Sequence, residues 1–209
     1  LLATVPNASV ANQFKNIVKK FRLDCDIITA IAQNRGRNFG PFLVEFRRDL
    51  LTCDVMLHIH TKKSLRTGNE QTGWKDHLFK SLLANRGYTS FIINRLGDQN
   101  NRKFGVALPS TFADFGHWAH DWLGCAHMIP SMLEKLGIDH VPSRGMQDFS
   151  VGSMFWARTQ ALRPLLEYPW AYTDFEEEPA GHDGTVPHVI ERGLGTFVES
   201  QSFYPMELD

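Results

Sequence analysis

Three cysteines in 209 residues (Cys25, Cys53 and Cys125), with uneven gaps and no C-x-x-C, leave the chain without a disulfide framework or a cysteine zinc ribbon. That usage fits reduced thiols and a cytoplasmic compartment. Charge of one sign is also lacking. Lys and Arg number 22 against 23 Asp and Glu, a formal net charge of −1, so nothing pulls the whole molecule toward nucleic acid or an anionic membrane. No apolar run approaches a membrane span, and no signal-peptide pattern, repeat or low-complexity segment is present. What is present is a 43% apolar fraction, enough for a sizeable core, in a length that suits one α/β domain or most of a larger one. The chain opens without Met on Leu-Leu-Ala-Thr-Val, which reads as a strand entered directly, so upstream sequence is expected.

The first sixty residues alternate regularly. Leu1–Val5 reads as a strand and Ser9 as an N-cap. Val10, Phe14, Ile17, Val18 and Phe21 then mark an amphipathic helix. A strand over Asp26–Ala32, a helix over Pro41–Leu51 and a strand over Asp54–His60 follow. This β-α-β-α-β rhythm predicts a Rossmann-like, mostly parallel sheet with helices on both faces. Further on, the pattern predicts helices from Trp74 to about Asn85, over Ser90–Leu96, Pro130–Leu136 and Thr159–Leu166, with strands at Phe104–Leu108 and Val151–Arg158. Thr67–Gly73 reads as a loop.

The stretch Asn34–Lys63 carries the densest chemistry. Asn34, Arg35, Gly36, Arg37 and Asn38 combine guanidinium forks, which suit phosphate or sugar oxygens, with a glycine that permits close backbone approach. Pro41 fits the first turn of a helix, whose unpaired N–H groups favour an anion. The strand after it ends in His58-Ile59-His60-Thr61-Lys62-Lys63. His58 and His60 share one strand face, and Lys62 and Lys63 follow at the carboxyl end, where ligands of open α/β sheets sit. Singly, each cluster is an ordinary turn or a solvated surface. Together, on successive strand ends, they bring the functional reading level with the plain one.

Three other stretches matter. Thr111–His127 holds Trp118 and Trp122 with His117, His120 and His127. Its plainer reading is a helix burying both indoles, and its histidine spacing is a weak metal signal. Gly152-Ser153 would let a ligand lie against the backbone. Asp183 precedes a helix expected from Thr185 through Arg192 and stopped by Gly193, where the dipole favours an ionised carboxylate. Such a group can take a proton from an acceptor hydroxyl, or it can merely cap the helix.

Four segments, NRGRNFGPFL (34–43), DVMLHIHTKKS (54–64), VGSMFWAR (151–158) and FEEEPAGHDGTVPHVIER (175–192), resemble the rhamnan synthesis protein F family of bacterial polysaccharide glycosyltransferases, in family order. The resemblance implies a GT-A-like fold, with its first strand lying upstream. It implies sugar transfer, typically of rhamnose, from a nucleotide-sugar such as dTDP-rhamnose to a polysaccharide or lipid-linked glycan of the cell wall or O-antigen. Peripheral membrane association through regions outside this chain is a further expectation. The family pattern carries Asp where this chain has Asn38, Gln where it has His182, and no proline at position 187.

On this reading Asp183 is the catalytic carboxylate, with Glu178 or Glu177 as runner-up. Asn34, Arg35, Gly36, Arg37, Asn38, His58, His60, Lys62, Lys63, Gly152 and Ser153 form the donor side. An inverting transfer needs a base and stabilisation of the leaving diphosphate. Lys62 and Lys63 could supply the latter without a metal, while Mg²⁺ or Mn²⁺ is the alternative. Two rival classes stay open: a metal-dependent hydrolase using His58, His60 and Asp183, and a non-catalytic carbohydrate-binding domain using Trp118 and Trp122.

Overall fold

The computed structural model describes residues 1–21, 25–61, 72–100, 103–139 and 148–209. Strand β1 (Leu2–Val5) leads through helix α1 (Ala8–Lys20) to β2 (Ile28–Ile31), and the two strands pair in parallel, with Leu2 opposite Ile28 and Val5 opposite Ile31. The N-cap of α1 is Asn7, whose side chain accepts the Val10 N–H at 3.0 Å, and not Ser9, which is already helical.

The expected helix over 41–51 is two pieces, α2 (Phe39–Glu45) and α3 (Arg47–Leu50). Phe46 breaks the helical path at φ −115° while its ring stays buried, so Phe42, Leu43, Phe46 and Leu50 all reach one core. Next come β3 (Val55–His58), α4 (Thr72–Leu83), α5 (Arg86–Gly97) and β4 (Phe104–Pro109). Single 3₁₀ turns at His117–His120 and Leu123–Cys125 replace the helix expected through Trp118 and Trp122. The chain then forms α6 (Ile129–Lys135), β5 (Phe155–Arg158), a 3₁₀ turn (Thr159–Leu162), α7 (Arg163–Glu167), α8 (Val186–Arg192), α9 (Leu194–Ser200) and β6 (Tyr204–Leu208).

The larger sheet runs β3-β5-β4-β6. Strand β5 is antiparallel to both its neighbours, and only β4 and β6 are parallel. The fold is therefore mixed α/β, and the expectation of a mostly parallel sheet is corrected. The physical reason lies in the connection. The chain does not cross back after β4, so β5 starts at the end where β4 stops.

Alternate residues of the strands feed two cores. Val106, Leu108, Phe155 and Ala157 join α2, α6, α7, α8 and α9 on one face, whereas Ala107 and Trp156 join Leu78, Leu82, Ile92 and Leu96 of α4 and α5 on the other. Each fully buried leucine there contributes about 2 kcal/mol of apolar burial. Helices thus cover both faces of this sheet, as expected.

The geometry fixes where a site can lie. Because β5 opposes β3 and β4, the carboxyl ends of those two strands meet the start of β5 at one end of the sheet. His58 and the Gly152-Ser153 turn are consequently neighbours.

Candidate functional site

The loop after β2 is held against the segment entering α8. Arg35 forms an isolated antiparallel bridge with Glu177. Its Nε donates to the Phe175 carbonyl at 2.7 Å, and its Nη1 lies 3.5 Å from a Glu177 carboxylate oxygen. Gly36 has φ +73°, and a Cβ there would stand 2.6 Å from the Phe175 ring, so only glycine fits. Arg37 is also left-handed, at φ +52°, and its Nη2 donates to the Gly181 carbonyl at 2.7 Å. Arg37 Nε and Asn38 Nδ2 are buried and have no acceptor among the described residues. Asn34 stays exposed.

His58 ends β3 and is packed among the rings of Phe39, Phe42 and Phe155, at centroid distances of 5.6, 4.5 and 5.2 Å. Burial, and secondarily the nearby His60, depress its pKa to about 3 against the pull of backbone hydrogen bonds at Ser153 and Asn38. The ring is thus neutral at physiological pH. In that form His58 Nδ1–H donates to the Ser153 carbonyl at 2.7 Å, and His60 Nε2–H donates to the Gly152 carbonyl at 2.7 Å. His60 lies just beyond the strand, with its ring 6.3 Å from that of His58. Gly152 and Ser153 sit at φ +109° and +60°. The close approach to the Gly152 backbone is made by Trp74 and Leu78, at 2.8 and 2.9 Å from a built Cβ, so side chains occupy the space expected for a ligand there.

Asp183 does not cap α8. Glu176 does, accepting the Val186 N–H at 2.9 and 3.2 Å. Asp183 Oδ2 accepts the Gly124 N–H at 2.8 Å, and Oδ1 stands 3.6 Å from Arg192 Nη2. Partial burial raises its pKa, but the N–H groups of Gly124 and Gly184, with Arg192 and His188, outweigh that and hold the carboxyl below its usual range. Glu178 accepts the Ala180 N–H at 2.9 Å within its own turn. Trp122 packs against the larger core, which makes it part of the scaffold. Lys62 and Lys63 lie outside the described residues.

Arg37 and Asp183 converge on the same segment: one holds Gly181, and the other sits two residues beyond it. Sequence reasoning missed Glu191. Its carboxylate accepts from Gly152 N and Ser153 Oγ at 2.9 and 2.8 Å. A glutamate beside Arg192 in a short helix reads as an outer-face residue, and no spacing signal marks it as inward. Among the described residues no group of three or more His, Cys, Asp or Glu side chains is placed to hold a metal ion. Two histidines with no third ligand among the described residues do not by themselves make a fitting diphosphate-metal site.

These observations define a mixed α/β domain with a donor-rich polar cluster at the carboxyl end of β3. The chain belongs to the rhamnan synthesis protein F family, whose model matches residues 1–203. The family is named for rhamnan synthesis. It is 32% identical over 168 residues to "Uncharacterized protein WxcX" of Xanthomonas campestris pv. campestris strain B100, and equally to the protein of that name from a second strain. The match covers 79% of this chain and 23% of those relatives, so the chain spans about a quarter of their length. No solved structure matches it. No helix among the described residues is long and apolar enough to cross a membrane.

Proposed function

We propose that this domain is a GT-A-like glycosyltransferase that moves a sugar, rhamnose in the first instance, from a nucleotide-sugar to a polysaccharide or lipid-linked glycan. The observation that carries the reading is the pair of buried donors, Arg37 Nε and Asn38 Nδ2, that find no partner among the described residues. Buried donors without acceptors are costly, at about 1–3 kcal/mol each, and an oxygen-rich ligand relieves that cost. Phosphate and sugar oxygens are acceptors of that kind, and a guanidinium fork suits them geometrically. The helices on both faces and the position at the carboxyl end of β3 support the GT-A-like reading.

In this account Arg35 and Glu177 hold the donor loop in place. Arg37 and Asn38 bind the donor, and Lys62 and Lys63 neutralise the leaving diphosphate. The acceptor oxygen bonds to the anomeric carbon, and the bond from that carbon to the diphosphate breaks with its electron pair. The acceptor's proton passes to Asp183, which the surrounding N–H groups keep ionised. The transfer runs inside the cytoplasm, at the inner membrane face where a lipid-linked acceptor is available.

A thermal-shift screen of nucleotide-sugars tests the reading, since a ligand that binds only the folded state raises the melting temperature. A rise with one nucleoside diphosphate-sugar and none with free sugar is expected. No rise with any nucleotide-sugar contradicts it. Asp183→Asn should cut turnover at least tenfold with donor binding retained, and unchanged turnover removes Asp183 as the base.

A further inference from the structure

Glu191 stands at the centre of a linkage that no single segment of the sequence announces. One oxygen of its carboxylate, Oε1, accepts both the Gly152 N–H at 2.9 Å and the Ser153 hydroxyl at 2.8 Å. These two residues occupy left-handed backbone, at φ +109° and +60°, and for Ser153 that conformation is strained. The carbonyls of the same two residues receive His60 and His58, at 2.7 Å each. Two consecutive residues are therefore gripped by one carboxylate through their donors and by two imidazoles through their acceptors. Arg37 and Arg192 stand close enough to Glu191 to favour its charge, although its burial, the larger effect, raises its pKa.

We propose that Glu191 is the positioning residue of the site: it locks the Gly152-Ser153 turn, and through the turn it fixes the orientation and tautomer of His58 and His60. The lock accounts for a strained Ser153. Without an acceptor at Glu191, the Gly152 N–H and the Ser153 hydroxyl lose their partner, and the turn has less reason to stay left-handed. With the lock in place, each carbonyl faces one ring nitrogen, so the neutral His58 carries its proton on Nδ1 and His60 on Nε2. The arrangement is the organic counterpart of outer partners that set a histidine's tautomer at metal sites. Its relevance to donor binding rests on the glycosyltransferase reading; the lock itself does not.

The test uses the complete protein with ¹⁵N-labelled histidine, the His58 and His60 signals being assigned with His58→Gln and His60→Gln. Long-range ¹H–¹⁵N spectra of the wild type should show His58 protonated on Nδ1 and His60 on Nε2. Glu191→Gln keeps an oxygen acceptor and should keep both tautomers. Glu191→Ala should turn at least one ring into a mixture of tautomers and weaken nucleotide-sugar binding about tenfold. Ser153→Ala, which removes one of the two hydrogen bonds, should move the same signals less and covers the case in which Glu191→Ala does not fold. Unchanged His58 and His60 signals in a folded Glu191→Ala or Ser153→Ala overturn the proposal. If the tautomers respond while no nucleotide-sugar binds even the wild type, the lock stands and the donor-site reading fails.

Discussion

Arg158 and Arg37 lie at opposite ends of the four-stranded sheet. Arg158 is fully buried in relaxed backbone at φ −74°, with Nη2 donating to the Asp98 carbonyl at 2.9 Å and its guanidinium 5.5 Å from the Phe203 ring centroid. Arg37 is only half-buried, sits at φ +52° and keeps a buried Nε without an acceptor among the described residues. The first arginine ties the end of α5 and the start of β4 to the sheet. The second is held in an unfavourable conformation with donor capacity left over. Strain together with unmet hydrogen bonding marks a place where something other than stability decides the residue. A cleft of about 530 Å³, lined by Asp54, Val55, Ile93, Asn94, Gly97 and Asp98, lies at the Arg158 end. The left-handed Arg37, with its buried Nε that finds no acceptor among the described residues, lies at the other end of the sheet.

Substitutions at the two arginines should separate these roles. The largest effect is expected for Arg158→Met, which leaves the Asp98 carbonyl without its donor. Urea denaturation should show a loss of about 3 kcal/mol or more, with nucleotide-sugar affinity of the folded fraction unchanged. Arg37→Gly should do the reverse. Glycine accepts φ +52° readily, so stability should stay within about 1 kcal/mol, while affinity falls on the order of a hundredfold through loss of a charged donor. If Arg37→Gly unfolds the protein and Arg158→Met abolishes binding, the comparison is inverted.

A pH-dependent effect should come from His58. Its folded pKa of about 3 lies below the ordinary 6.5, so the unfolded chain binds more protons between those values. The contribution of this group is fully present above about pH 6.5 and is lost as the pH falls toward 3. His58→Phe should flatten that part of the stability curve, and an unaltered slope would show that the ring is not held neutral. The smallest effect is expected for excess chelator, which should leave turnover intact because the described residues offer no three-ligand group. Loss of turnover restored by Mn²⁺ or Mg²⁺ would contradict a metal-free leaving-group mechanism.

Part of the fold and the cluster at 34–38 were legible in the sequence; the part played by Arg158 was not. Local periodicity gave β1, α1 and β2, and glycine and arginine density marked 34–38. The four segments that carry the family resemblance do meet, through Arg35–Phe175, Arg37–Gly181, His58–Ser153 and Ser153–Glu191. The orientation of β5 was hidden, because a run such as Phe155–Arg158 buries both faces whichever way it points. The break at Phe46 was hidden too: Phe42, Leu43, Phe46 and Leu50 keep helical spacing, and only core geometry asks the chain to bend between them. Glu191 was invisible for a related reason. A carboxylate that turns inward to serve a strained turn thirty-eight residues earlier leaves no local signature.

The most direct measurement is calorimetric titration of nucleoside diphosphate-sugars into the wild-type protein and into Arg37→Gly. Saturable binding to the wild type is expected, weakened at least tenfold by the substitution in a protein that still melts cooperatively. Equal affinity in the two proteins, or no binding to the wild type, would contradict it.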